Sequence, residues 1–509
     1  MAAAMMCAAL FGGAFLLTGC GFSKTSADSG TVNFLMDSAP ANLDPRIGAD
    51  AYSEHVDGLI FSSLVAHDAR MNVIPDLAVS WDTPDPLTYV FHLRQGVKFQ
   101  DGRPLTSADV KYTFDSIMAG AMKTTKRGSF KLITLVEAPD DSTVIFHLSE
   151  PYASLFASLT SPGIGIVPRG SGAEMSQHPI GTGPFRFVSA NTDEEIVLER
   201  NENYFRGAPK IERLRMRIVP DAIVRALELR KGSADVAINS LTPDMVVTLA
   251  KDRGLAAVQE PGTTMAYLAF NFEDPILAKR EVRQALAYAT DRATIIKYLL
   301  RGQARPAQSL LPPNHWAFDG DVQNYDFDPG LAEKMLDAAG YPRGKDGVRL
   351  RLTLKTSTDE FTRLTSAAIA DQWKRVGVNL ELRPLEFATF YTDITRGSFQ
   401  MYTLRWVGAN TDPDIFEYVF GSKRMPSVGA NRGHYRNAEL DGLLDQARVE
   451  MDQAKRKEIL ARVQEIVAAD EPYIDLWYVD NVCLHRDRLE GITMSPGGDY
   501  DFLVSAFLK

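Results

Sequence analysis

Asp412-Pro413-Asp414 sets two carboxylates two positions apart, directly after Trp406-Val407-Gly408-Ala409-Asn410-Thr411. A glycosidase uses such a pair when the carboxyl groups lie about 5–9.5 Å apart across a sugar. A carboxylate-dependent hydrolase is therefore the strongest enzyme reading. The plainer reading is structural, since Asp before Pro favours a turn and Asp414 can cap a helix over Ile415–Phe420. The sequence holds no Gly-x-Ser-x-Gly elbow, Walker A loop or His-Glu-x-x-His helix. Gly181-Thr182-Gly183 lacks the Lys and third Gly of a phosphate loop and reads as a tight turn. The eight histidines are dispersed and thiolates are scarce, which argues against direct metal coordination. These residues point to a binding protein without a cofactor rather than to an enzyme.

The remaining reactive group is Cys20. Residues 1–19 carry no charged side chain, and Ala8 to Leu17 form an apolar run of the length of a signal-peptide core, too short to span a bilayer. Leu17-Thr18-Gly19-Cys20 then resembles the bacterial lipobox, in which the Cys is lipidated and becomes the first mature residue. A basic opening is missing from Met1-Ala2-Ala3-Ala4-Met5-Met6. The expectation is a signal peptide over 1–19, a lipidated tether over 20–30, and an extracytoplasmic protein held to a membrane through Cys20. Two or more acyl chains hold stably where one holds marginally. Of the three cysteines, Cys7 leaves with the leader and Cys20 is consumed by lipid. Cys483 remains, in an apolar stretch, and reads as a core residue, so no internal disulfide is possible.

At 509 residues the chain exceeds what one hydrophobic core supports, and two or three domains are expected. Composition is that of an ordinary folded protein. The formal net charge of -10 and scattered Lys and Arg argue against a nucleic-acid partner. The longest basic run, Lys455-Arg456-Lys457, reads as the solvated face of a helix.

Alternation predicts strands through Tyr89, Phe91, Leu93; Val144, Phe146, Leu148; Leu214, Met216, Ile218; and Val348, Leu350, Leu352, Leu354. Helical spacing is legible at Val282, Leu286, Ala289 and at Phe361, Leu364, Ala368, Trp373, Val376. The second helix ends at Gly377, the expected left-handed cap, and leads into alternating Val378, Leu380, Leu382. Further helices are expected over Glu439–Met451 and Ala454–Ala469. Strands and helices interleave, so the class is α/β with mixed sheets.

A family resemblance emerges from an ordered set of segments. It begins with Leu77-Ala78-Val79-Ser80-Trp81, Tyr89 to Gly102 and Thr106-Ser107-Ala108-Asp109-Val110-Lys111. It continues through Pro179-Ile180-Gly181-Thr182-Gly183-Pro184-Phe185, Asn201 to Gly207, Leu268-Ala269-Phe270-Asn271, Val282 to Leu286, Asp291-Arg292 and Ala339-Gly340-Tyr341-Pro342. The set resembles the family 5 extracellular solute-binding proteins, the oligopeptide, dipeptide and nickel binders of ABC importers, from about Thr31 to the C-terminus.

That resemblance implies a periplasmic-binding-protein-like fold of class II, two hinged lobes plus an extra domain. Lobe I would comprise 31–60, 180–265 and 478–509, the extra domain 61–179, and lobe II 266–477. It implies capture of a peptide or peptide-like small solute, delivery to ABC permease subunits, and a monomeric protein. Similar peptide binders hold the ligand ammonium with an Asp in a Trp-x-x-Asp segment, where this chain has Ala409. Dipeptide binders add an Arg for the ligand carboxylate, where it has Thr356 beside Lys355. A non-peptide solute such as a metal chelate, a haem-like ligand or a sugar is the alternative. The expected ligand-contacting residues are Trp406, Asn410 and Asp412, with Tyr267 and Asn271 on one face of a strand, and Trp316 in a loop.

Overall fold

The computed structural model describes residues 30–120, 122–160, 163–191, 193–408 and 412–509. The expected signal peptide, Cys20, Ala409 and Asn410 lie outside them.

Two mixed sheets dominate. A seven-stranded sheet runs in the order 255–260, 481–486, 236–238, 31–36, 213–218, 195–200, 185–191. Its central strand, Thr31–Met36, pairs in parallel with both neighbours, and the other pairings are antiparallel. A six-stranded sheet runs 304–306, 473–479, 265–270, 401–406, 350–357, 378–385. A four-stranded antiparallel sheet, 78–85, 88–93, 143–148, 133–140, stands apart from both.

Strand alternation is what splits the cores. Val32, Phe34 and Met36 enter one cluster with Cys483, while Leu35 enters another on the opposite face with Leu484. In the six-stranded sheet, Met265, Tyr267 and Ala269 face one cluster and Ala266, Leu268 and Phe270 the other. This strand is buried on both faces, which is why its sequence reads as nearly continuous hydrophobicity.

The helix Glu360–Arg375 packs Trp373 into the second of those clusters, with its indole N–H donating to Thr290 Oγ1 at 2.9 Å. Gly377 follows at φ 87° and the strand Val378–Leu385 begins at once, as the sequence leads one to expect. Val348 falls short of its expected strand, which starts at Leu350; its carbonyl accepts from Gly344 in the preceding turn. Thr106 caps the helix Ser107–Met118, and Asp109 Oδ2 accepts from the Thr106 N–H at 2.8 Å. Gly181 and Gly183 form a close approach instead of a phosphate cradle. A Cβ on Gly181 would stand 2.2 Å from the Ile60 carbonyl oxygen, and Gly183 N donates to that oxygen at 2.8 Å.

The chain passes between the two large sheets at 261–264 and again at Asp480. Asp480 ties both passages together, accepting from Arg305 Nε and Gln259 Nε2, each at 2.8 Å. Segments from 61–179 also touch the six-stranded half. Trp316 N donates to Arg70 O at 3.0 Å, Asn314 Nδ2 to Ala69 O at 2.7 Å, and Arg448 pairs with Glu150 at 2.9 Å.

Several carboxyls are buried where their charge is costly. Burial pushes Asp475 up to about 7 against the pull of Arg292, and Asp76 up to about 6 against Arg206. Glu471 is raised well above the usual carboxylate range, by burial and then by Asp475. A carboxyl whose folded pKa exceeds its unfolded one binds its proton more tightly in the native state, so its contribution is fully present below the unfolded pKa and lost as pH rises through the folded value. Asp475 alone then loses on the order of 1 kcal/mol between pH 6 and pH 8. His55, lowered by burial, acts oppositely below its unfolded pKa. Melting temperature is therefore expected to be higher at pH 6 than at pH 8; a rise toward pH 8 would contradict these assignments.

Candidate ligand-binding site

Three adjacent strands of the six-stranded sheet aim aromatic side chains at one face. Met265 pairs with Trp406, and Ala269 pairs with both Tyr402 and Tyr473, so period-two alternation places these side chains beside Tyr267. Ala269 is the small residue between the two flanking tyrosines. Tyr267 lies nearly parallel to Tyr473, with centroids 4.3 Å apart at 10°, and to Trp406 at 5.7 Å and 12°. Tyr402 meets Tyr267 edge-on at 5.9 Å.

Arg432 enters this stack from the loop after the helix Ile415–Phe420. Asn431 fixes that loop: its amide donates to Gly421 O at 3.0 Å and Tyr435 O at 2.8 Å, and its carbonyl accepts from Tyr435 N at 3.0 Å. The guanidinium lies 5.6 Å from the Trp406 ring centroid and 5.3 Å from that of Tyr391, within cation–π range. Arg432 Nη2 donates to Tyr391 Oη at 3.2 Å. Arg432 is only 6% exposed, yet no described carboxylate pairs with it. Burial works to lower its pKa, and Tyr402, Tyr267 and Tyr473 to raise it, leaving it above the ordinary value. Arg432 Nη1, Trp406 Nε1 and the hydroxyls of Tyr267 and Tyr402 are all buried without a well-formed hydrogen bond to any described residue. Burial raises the Tyr267 and Tyr473 hydroxyls well above their usual range, so both stay neutral donors.

The stack continues outward. Tyr391 stacks on exposed Phe387, with centroids 5.9 Å apart, and Trp406 meets exposed Tyr418 edge-on at 6.2 Å. Val407, 62% exposed, follows Trp406. An apolar, aromatic surface leading to a few inward polar groups is the usual make-up of a small-molecule site.

The residues expected from sequence fare unequally. Trp406 and Tyr267 come together in the stack. Asp412 is instead taken up within the protein: Oδ1 accepts from Ser154 Oγ at 2.8 Å and from Asp414 N at 2.7 Å, with Arg456 Nη2 at 3.9 Å. Asp414 does not cap its helix through its side chain but pairs with Arg456 at 2.9 Å. Asn271 Nδ2 donates to Phe399 O at 2.9 Å, and its Oδ1 accepts from Glu273 N at 3.0 Å. Trp316 lies under Arg456 at 5.8 Å, with its backbone bound to Arg70. Asp412, Asn271 and Trp316 thus each have partners within the protein, apart from the aromatic stack. Thr356 is buried, and Lys355 pairs with Asp393 at 2.7 Å. The basic run reads wrongly at its centre, because Arg456 is buried while Lys455 and Lys457 are exposed.

Sequence reasoning missed Arg432, Tyr402, Tyr473 and Tyr391. Tyr402 was within reach, since it precedes Trp406 by four positions on one strand and so shares its face; Arg432 sits in no motif. Among the described residues no group of His, Cys, Asp and Glu could hold a metal ion, and no helix is long and apolar enough to cross a membrane.

The family model for the middle region of bacterial extracellular solute-binding proteins, family 5, matches residues 72–426. Haem-binding protein A of Haemophilus influenzae is 29% identical, covering 94% of this chain and 92% of the relative. The dipeptide-binding protein of Escherichia coli is 27% identical, covering 94% of each. The oligopeptide-binding protein AppA of Bacillus subtilis, solved with a nonapeptide, superposes with a TM-score of 0.75 at 25% identity, covering 94% of this chain and 99% of that one.

Proposed function

The chain belongs to the family 5 bacterial extracellular solute-binding proteins, and from that premise we propose that it captures a peptide or peptide-like small solute for the permease of an ABC importer. The cargo is held between lobe I (31–60, 180–265, 478–509) and lobe II (266–477), with 61–179 as the extra domain. The observation that carries this reading is the stack of Tyr267, Trp406 and Tyr473, capped by the Arg432 guanidinium and opening through Tyr391 and Phe387 to an exposed aromatic face. Relatives named for dipeptides, and one solved with a nonapeptide, support peptide-like cargo. The guanidinium beside stacked rings also suits a planar anionic chelate, the second reading. The chemistry is binding chemistry throughout: Asp412 and Asp414 face Arg456 and Ser154, so a paired-carboxylate mechanism gains nothing from this geometry. The protein works as a monomer outside the cytoplasm, tethered through lipidated Cys20.

Native mass spectrometry of protein purified without refolding tests the cargo. A co-purifying peptide or peptide-like mass is expected, and a sugar in its place would overturn the proposal.

A further inference from the structure

Arg432 is a buried cation that pairs with no carboxylate among the described residues. Residues 409–411 supply none, being Ala, Asn and Thr. Nearby carboxylates are committed elsewhere: Asp414 to Arg456, Glu417 to Arg424, Asp393 to Lys355 and Glu273 to His434. Aromatic faces and the hydroxyls of Tyr391 and Tyr402 cannot repay the desolvation of a guanidinium. Around it, the Trp406 indole N–H and the hydroxyls of Tyr267 and Tyr402 make no well-formed hydrogen bond, the hydroxyls meeting only one another, Tyr473 and the guanidinium. A charge with unfilled neutral donors beside it is complementary to an oxyanion, and the planar fork of Arg suits a carboxylate above other anions.

Resting on the solute-binding reading above, we propose that Arg432 is the specificity residue of the site and pairs with a carboxylate of the cargo between Trp406 and Tyr391. Water could satisfy the donors but not the charge. The protein would thus select its cargo by a negative group, reversing the ammonium-first recognition that the family resemblance suggests.

The test compares trialanine, trialanine amide and citrate by calorimetry and thermal shift on wild type, Arg432→Gln and Arg432→Lys. Trialanine is expected to bind wild type about 10- to 100-fold more tightly than its amide, the worth of one hydrogen-bonded charge contact. Arg432→Gln should close that gap by weakening the acid alone, and Arg432→Lys should keep part of it. Empty Arg432→Gln should melt no lower than wild type, since an unpaired buried charge is removed; a structural arginine would behave oppositely. Equal binding of acid and amide to wild type overturns this inference and leaves peptide capture standing. Citrate binding that depends on Arg432, with neither peptide bound, upholds the inference and overturns the peptide reading. No stabilisation by any of the three overturns both. Should Arg432→Gln fail to fold, the acid–amide comparison on wild type decides alone.

Discussion

Arg456→Ala is expected to lower the unfolding free energy by about 3–5 kcal/mol, the typical loss when one partner of a buried ion pair is removed. Arg456 is 5% exposed, and its Nη2 donates to Asp414 at 2.9 Å and to Ser154 Oγ at 2.7 Å, while Nε donates to the Ala447 carbonyl at 2.9 Å. The same guanidinium screens Asp412 from Asp414. Burial and then Asp412 already push Asp414 up to about 6, and without Arg456 only the Ser154 hydroxyl opposes them. The loss should consequently be smaller at pH 5, where Asp414 carries its proton, than at pH 8. Arg456→Met combined with Asp414→Asn should recover more than half of it. Urea denaturation reads all three, and a loss that stays the same at both pH values would contradict the ion-pair account.

Trp406→Ala is expected to weaken binding of the cargo identified by mass spectrometry by about 2–4 kcal/mol, roughly 30- to 1,000-fold, as for a central aromatic anchor. Its stability cost should be modest, because the ring is only partly buried. Tyr267→Ala offers the contrast: that ring is fully buried, and its removal should cost stability as well as affinity. Calorimetry and denaturation on the two variants separate contact from support. If Trp406→Ala bound cargo like wild type while unfolding easily, the tryptophan would be packing alone.

Much of the scaffold is legible in the sequence because it rests on local periodicity. Alternation gives the strands at 88–93 and 143–148 with buried Tyr89, Phe91, Val144 and Phe146, and the step from helix to strand at Gly377 follows from a left-handed cap. The site is only half legible. Tyr267 and Trp406 stand out because they are aromatics on strands whose faces can be counted. The internal partners of Asp412 are not legible because they are remote in sequence, Ser154 lying 258 positions away. Arg456 misleads for a geometric reason: successive helix residues turn by about 100°, so one member of a basic run can point inward while its neighbours stay in water. Arg432 is set by a loop that Asn431 ties down, and no spacing rule announces it. The resemblance to peptide binders draws attention to Ala409 and Thr356, where expected charges are missing, while the buried charge against the aromatic stack stands at Arg432.

The most direct test of the account is a crystal structure of the protein carrying the cargo it acquires in the cell. The account predicts cargo against Trp406 and Tyr391, with an anionic oxygen within about 3 Å of the Arg432 guanidinium. Cargo seated away from Trp406, or against Asp412 with Arg432 unoccupied, would contradict it.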